Sequence, residues 1–210
     1  MLPGPTIIIA CPHCGNLAKK DTIISGNTFG ATLWSDGKQV APMLPEFPSF
    51  VFCKKCSNLF WVKDAKEVDQ INDHYSENDK YKELETITFP DFLQYYLALN
   101  IIDDKKYIRI KMLYSFNDYL RNNKESQITP ETQKIHEENL YELIDLFEEN
   151  DINELIMKAE AYRNLGLFEK STTLLNQIND PKLSPIKDKF LREVQKGNKK
   201  LFKLYGSYER

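Results

Sequence analysis

Cys11-Pro12-His13-Cys14-Gly15 and Cys53-Lys54-Lys55-Cys56-Ser57 decide how the N-terminal part of this chain folds, and between them they hold all of its cysteines. Two residues between paired cysteines make a tight turn in which both sulfurs point at one ion while backbone N–H groups face the thiolates. Two such pairs and no fifth cysteine predict a tetrahedral site with Cys11, Cys14, Cys53 and Cys56 as ligands. Gly15 relaxes the first turn, because a residue without Cβ takes positive φ freely. The expected ion is a single structural Zn²⁺, although four sulfurs in a tetrahedron also suit iron. Four thiolates on a divalent ion leave two formal negative charges, which Lys54 and Lys55, with Lys19 and Lys20, are placed to moderate. Disulfides are the weaker reading, because they belong to oxidising compartments and paired CxxC spacing favours metal. A thioredoxin-like redox pair needs one CxxC opening a helix, not two matched pairs. His13 lies inside the first turn, where no fifth ligand is needed, and reads as a surface residue.

Apolar strands lead into both turns: Ile7-Ile8-Ile9 before the first and Phe50-Val51-Phe52 before the second, with Leu59-Phe60-Trp61-Val62 leaving the second. On these residues, 7–62 resembles a zinc ribbon. The departure is the gap of 38 residues between Cys14 and Cys53, where compact ribbons have about 15–20. The insert carries hairpin signals of its own: Thr22-Ile23-Ile24, Ala31-Thr32-Leu33-Trp34, an Asp36-Gly37 turn, then Gln39-Val40. Prolines 42, 45 and 48 return the chain to the second pair. This reading places Phe29, Trp34, Phe47 and Phe50 beside the metal.

The chain has 210 residues, 41% of them hydrophobic, and a net charge of −3, enough apolar material for a core and too little positive charge to coat nucleic acid. No apolar run approaches the roughly 20 residues of a membrane span, and no secretory signal is visible, so a cytoplasmic protein is expected. Residues 1–66 carry 7 basic and 4 acidic side chains, and 67–210 carry 21 and 27. The organisation expected is a ribbon domain at 1–66, a linker at 67–87 with a polar stretch from Asp69 to Lys80, and a helical domain at 88–210. The fold class is therefore α+β.

Helix signals recur through the second part. Thr88 with Pro90 opens a helix carrying Phe92, Leu93, Tyr96 and Leu97 on one side. Tyr107, Ile108, Tyr114, Phe116, Tyr119 and Leu120 mark a second, and Thr129-Pro130 starts a third. Asp151 with Glu154 makes a capping-box-like start. Ser184-Pro185 opens the last helix, expected to run inward through Leu201 and Phe202 with a kink at Gly197. Residues 155–185 resemble a single tetratricopeptide repeat, with Ala159, Tyr162 and Gly166 at its small, aromatic and inter-helix glycine positions and Phe168, Ser171, Leu175 and Ile178 following. Lys158 stands where leucine is usual, and Pro181 and Pro185 bracket the closing proline. A lone repeat needs the flanking helices as partners. Residues 25–30 with Trp34 and Asp36-Gly37-Lys38 are similar to uncharacterised bacterial proteins with an N-terminal Cys-x-x-Cys ribbon, a resemblance that implies no activity.

Catalytic signatures do not form. His136-Glu137 begins like a zinc-protease motif, but position 140 is leucine, and Gly37-Lys38 lacks the rest of a phosphate loop. His74 has no sequence partner. The leading expectation is a non-catalytic interaction protein that binds another protein through its helical domain. Residues 137–154 hold eight acidic and no basic side chains, and 186–203 hold seven basic and two acidic; these segments meet partners, pair with each other or are simply solvated faces. The alternative is a nucleic-acid-associated ribbon using Lys19, Lys20, Lys38, Lys54 and Lys55 with Phe29 and Trp34. An enzyme with a site assembled only by folding is a third reading.

Overall fold

A computed structural model describes residues 1–71 and 79–206. The elements in chain order are β1 (Leu2–Pro3), β2 (Thr6–Ala10), β3 (Leu17–Lys20), β4 (Ile23–Ser25), β5 (Thr32–Trp34), β6 (Gln39–Val40), β7 (Phe50–Phe52), β8 (Leu59–Trp61), β9 (Lys66–Ile71), α1 (Phe92–Ala98), α2 (Lys105–Arg121), α3 (Pro130–Leu146), α4 (Ile152–Asn164), α5 (Phe168–Asn176), α6 (Ser184–Gln195) and β10 (Lys203–Tyr205). The fold is mixed α+β, with antiparallel sheets and six helices among the described residues. Two compact units divide it: residues 1–30 with 41–94, and residues 31–40 with 95–210.

In the first unit β2 lies between β3 and β9, both antiparallel to it, and β7 pairs with β8. A strand flanked on both edges buries a continuous apolar run, and Thr6 through Ile9 are all buried. Residues 85–87 extend this sheet beyond β3, where Lys19 N–H donates to the Glu85 carbonyl (2.9 Å) and Ile87 N–H to the Lys19 carbonyl (2.8 Å). Ile7, Ile9, Val51, Phe60 and Val62 form the core together with Cys11 and Cys53. The start of the expected linker is thus part of the sheet. β9 exposes most of its side chains while its backbone is held by β2, so an edge strand reads as polar sequence. His74 and residues 72–78 lie outside the described residues.

The second unit, not the first, contains the hairpin expected in the ribbon. β5 pairs with β6 on one side and with β10 on the other. Gly37, at φ +82°, makes the turn. Trp34 and its neighbours therefore belong with the helices. The cause is polar and buried. Asp36, fully buried, accepts from the Asn117 amide (2.8 Å) and from the Arg121 guanidinium, which also reaches Asp118 (2.7 Å) and the Tyr114 carbonyl (3.1 Å). Ser35 Oγ donates to Glu160 (2.6 Å), which is paired with the fully buried Arg163 (2.6 Å). Lys38 Nζ donates to Asp118 at 2.8 Å. Leu33 adds apolar contact with the core of Leu155, Ala159, Leu175 and Phe190.

The helix ends follow their local sequence. Thr129 caps α3, accepting from Thr132 N–H (3.1 Å), and Thr132 Oγ accepts in return from Thr129 N–H (3.0 Å). Asp151 accepts from the Asn153 and Glu154 N–H groups. Glu154 does not complete a box; its carboxylate takes the Glu148 N–H (2.8 Å) and Lys106 (2.6 Å). Gly166 (φ +80°) ends α4, with its N–H on the Arg163 carbonyl and Leu167 N–H on that of Tyr162. Gly197 (φ +65°) does the same for α6, so the expected kink is a stop at Gln195, and Leu201 and Phe202 lie beyond the helix. The face of α1 also differs from expectation: Phe92, Tyr95 and Ala98 are buried, and Leu93, Tyr96 and Leu97 are exposed. The acidic run 137–154 forms its ion pairs with Lys106, Arg109, Lys134 and Lys158, and among the described residues none with the basic run 186–203.

Candidate metal centre

Each cysteine pair sits in the turn of a hairpin, and the two turns have the same backbone. In the first, closed by the pair Ala10 and Leu17, Cys11 N–H donates to the Asn16 carbonyl (2.9 Å) and Gly15 N–H to the Cys11 carbonyl (2.9 Å). In the second, closed by Phe52 and Leu59, Cys53 N–H donates to the Asn58 carbonyl (2.8 Å) and Ser57 N–H to the Cys53 carbonyl (2.8 Å). The residue after the second cysteine of each pair is left-handed, Gly15 at φ +70° and Ser57 at φ +59°. The first is what Gly15 announces in the sequence; at Ser57 the same conformation is taken without glycine's freedom.

These turns bring the four sulfurs within 4.8 Å of one another. Cys11 Sγ lies 3.9 Å from Cys56 Sγ, and Cys14 Sγ lies 3.7 Å from Cys53 Sγ. No disulfide joins them; an S–S bond is about 2.05 Å. An ion bonded tetrahedrally to four thiolates at about 2.3 Å sets its sulfurs about 3.8 Å apart, so the arrangement is compatible with one metal ion. Cys11 and Cys53 are buried, Cys56 is half-buried and Cys14 is exposed. Burial pushes the Cys11 thiol up to about 12, while the Asn58 side chain and then its backbone N–H draw Cys56 down to about 6. Asn58 follows its pair at the position of Asn16 in the first turn.

A comparison of the chain with protein-family models, with curated proteins and with solved structures finds no match in any of the three.

The residues expected around the cysteines are only partly there. His13 is exposed, edge-on to Phe60 at 6.5 Å, and outside the sulfur cluster. Lys54 pairs with Glu85 (2.8 Å), Lys20 with Glu67 (3.3 Å), and Lys19 donates to the Lys82 carbonyl (3.3 Å). Of the four aromatics, Phe50 is buried against Trp61 (5.0 Å), Phe47 is half-buried and Phe29 is exposed. Trp34 belongs to the other unit, with the Arg121 guanidinium 5.6 Å and the Lys203 ammonium 5.5 Å from its ring. The buried groups that sequence reading missed are Asp36, Asn117, Arg121, Glu160 and Arg163. Glu160 with Arg163, and Arg121 with Asp118, had a local signal, an i,i+3 pair of opposite charge, and that spacing is ordinary for exposed helix faces.

Proposed function

We propose that Cys11, Cys14, Cys53 and Cys56 hold one Zn²⁺ as a structural centre of a ribbon-like unit, and that the chain is a non-catalytic protein-interaction module. Four thiolates fill a tetrahedron and leave no position for an activated water, which supports a structural metal over a catalytic one. Such thiolates persist in a reducing compartment, in keeping with the cytoplasm. The helix pair α4–α5 supports the tetratricopeptide-like reading, with Ala159 and Ser171 buried where two helices approach closely and Gly166 at the break.

The observation that carries the interaction reading is the outward face of α1. Leu93 (53% exposed), Tyr96 (40%) and Leu97 (57%) stand at i, i+3 and i+4 of this one helix. Side chains at that spacing share one face, and a grouped apolar surface of this kind marks an interaction site more often than scattered residues do. For the nucleic-acid reading, Lys19, Lys20 and Lys54 are engaged within the chain, Lys38 is on Asp118, and Trp34 lies near Arg121 and Lys203, while Lys55 and Phe29 are exposed.

The test is affinity capture from the native cell with the full chain, beside a Leu93→Glu/Leu97→Glu variant. The full chain is needed, because a fragment starting near residue 88 lacks Ser35 and Asp36 and leaves Glu160 and Arg121 buried without them. A protein enriched by the parent and lost in the variant supports the reading; equal capture by both counts against this face.

A further inference from the structure

The helical unit holds a cleft of about 600 Å³ lined by α2, α3, the end of α4 and residues 199–201. That volume suits a small organic ligand, and the walls mix polar side chains with apolar ones, Leu120, Leu140 and Leu165 among the latter. His136 also lines it. The imidazole is almost wholly buried, stacked on the Phe116 ring with centroids 3.6 Å apart and planes 2° from parallel. Its Nδ1 is sealed from solvent and has no hydrogen-bond partner. With Nδ1 enclosed, Nε2 is the nitrogen left to serve the cleft. Burial lowers the His136 pKa to about 3, so the ring is neutral at physiological pH and offers a hydrogen bond without a charge. A buried polar ring costs stability unless something uses it.

The charges of the lining are the second observation. Glu125 and Lys200 neutralise each other at 3.0 Å. Two charges remain, one of each sign and on different elements. Glu137 on α3 takes an amide hydrogen bond from Gln133 (2.9 Å) but is paired with no cation among the described residues. Lys199 has no acidic partner among them either, and its stem lies over Gly166, where a Cβ would stand 2.4 Å from Lys199 Cε. A site with one unpaired cation, one unpaired anion, a neutral polar ring and leucine side chains in its walls complements a ligand that carries both charges on a partly apolar body.

We propose that this cleft binds a small zwitterion with an apolar body, a free apolar amino acid or a short apolar peptide, with its carboxylate on Lys199, its ammonium on Glu137 and a polar atom at His136. An isolated carboxylate or amine satisfies only one of the two charges.

The experiment is an NMR titration of the full chain with four probes: L-phenylalanine, N-acetyl-L-phenylalanine, L-phenylalaninamide and L-leucyl-L-leucine. One zwitterion should bind saturably at His136 and Lys199, about tenfold tighter than its singly blocked form, the difference of one charge-assisted hydrogen bond. Which of L-phenylalanine and the dipeptide binds tighter separates amino acid from peptide. Lys199→Met should abolish the preference for L-phenylalanine over its amide, and Glu137→Gln the preference over the N-acetyl form. Both positions are at the surface, so both variants fold. His136→Phe keeps the stack on Phe116 and should weaken binding about three- to tenfold. No saturable change with either zwitterion, or equal binding of charged and blocked probes, overturns the proposal.

Discussion

Asp36→Ala removes one side chain from a turn in the N-terminal sequence and should destabilise the helical unit. Asp36 is fully buried, and its carboxylate is the acceptor for the Asn117 amide, the Arg121 guanidinium and the Lys38 backbone N–H (3.1 Å). After substitution Arg121, whose side chain is 5% exposed, keeps Asp118 and the Tyr114 carbonyl, while its Nε is already unpartnered and Asn117 loses its acceptor. Breaking a buried pair by removing one member costs about 3–5 kcal/mol. Because Asp118 still offsets the charge, the loss should sit near the lower end, about 3 kcal/mol. For a unit of this size that is a fall of about 10–15 °C in Tm. The chain has two tryptophans, Trp34 in the helical unit and Trp61 in the other, so a Trp61→Phe background leaves Trp34 fluorescence as the reporter. Arg121→Met combined with Asp36→Ala should recover most of the loss, since no buried charge is then stranded. A fall below about 3 °C for Asp36→Ala, which corresponds to under ~1 kcal/mol, would refute the assignment of the hairpin as a structural part of the helical unit.

The two cysteine turns should respond in opposite directions to glycine exchange: Gly15→Ala, with open space around its Cβ but φ +70°, should lower the thermal midpoint of the first unit by about 1 kcal/mol equivalent, and Ser57→Gly at φ +59° should raise it by a similar amount. Differential scanning calorimetry reads both, and equal signs would show that the turns are not equivalent. His136 makes the helical unit acid-sensitive. Its pKa is about 3 when folded against 6.5 unperturbed, so between these values the unfolded chain holds the extra proton and stability falls as pH falls. Urea unfolding at pH 7 and pH 5 should show a loss of about 2 kcal/mol that His136→Phe does not suffer; identical pH slopes would place the ring in a more hydrated setting.

The cysteine cluster was legible because CxxC is local chemistry: two residues of spacing fix the turn, and the turn fixes where the sulfurs point. The starts of α3, α4 and α6 were legible for the same reason, since Thr129-Pro130, Asp151 and Ser184-Pro185 act within a few residues. What could not be read was membership. The Asp36-Gly37 turn announced a hairpin, but its partners, Asn117, Arg121 and Glu160, lie 81 to 125 residues away in sequence, and no periodicity links them. The face of α1 failed on a related point. Phe92, Leu93, Tyr95, Tyr96 and Leu97 are apolar almost all round, so hydrophobicity alone did not select Phe92 and Tyr95 as the buried side. β9 was missed because an exposed edge strand has the composition of a loop.

The long interval between the cysteine pairs has a physical consequence that chelation tests. The chain passes between the units after residues 30, 40 and 94, so a metal bound to both pairs closes a loop of 38 residues whose middle is built into the helical unit. Metal ligation should carry much of the stability of the first unit, whose core is small, and its removal should unfold residues 7–62. Transmission to the helices through chain connectivity is a matter of loop entropy. With Thr32 paired to Val40, the docked hairpin takes about eight residues out of the loop. Shortening 38 residues to about 30 changes the closure cost by (3/2)RT ln(38/30), about 0.2 kcal/mol. That is roughly a fifteenth of the expected effect of Asp36→Ala, and it shifts Tm by about 1 °C. Chelation, or Cys53→Ser, should therefore expose residues 7–62 to protease and change Trp61 emission, while the Trp34 transition stays within about 1 °C of the metal-loaded protein. A first unit that stays protease-resistant without metal defeats the structural role of the ion. A Trp34 transition lowered by 5 °C or more would mean that the helices draw stability from the metal centre by a route that loop closure does not supply.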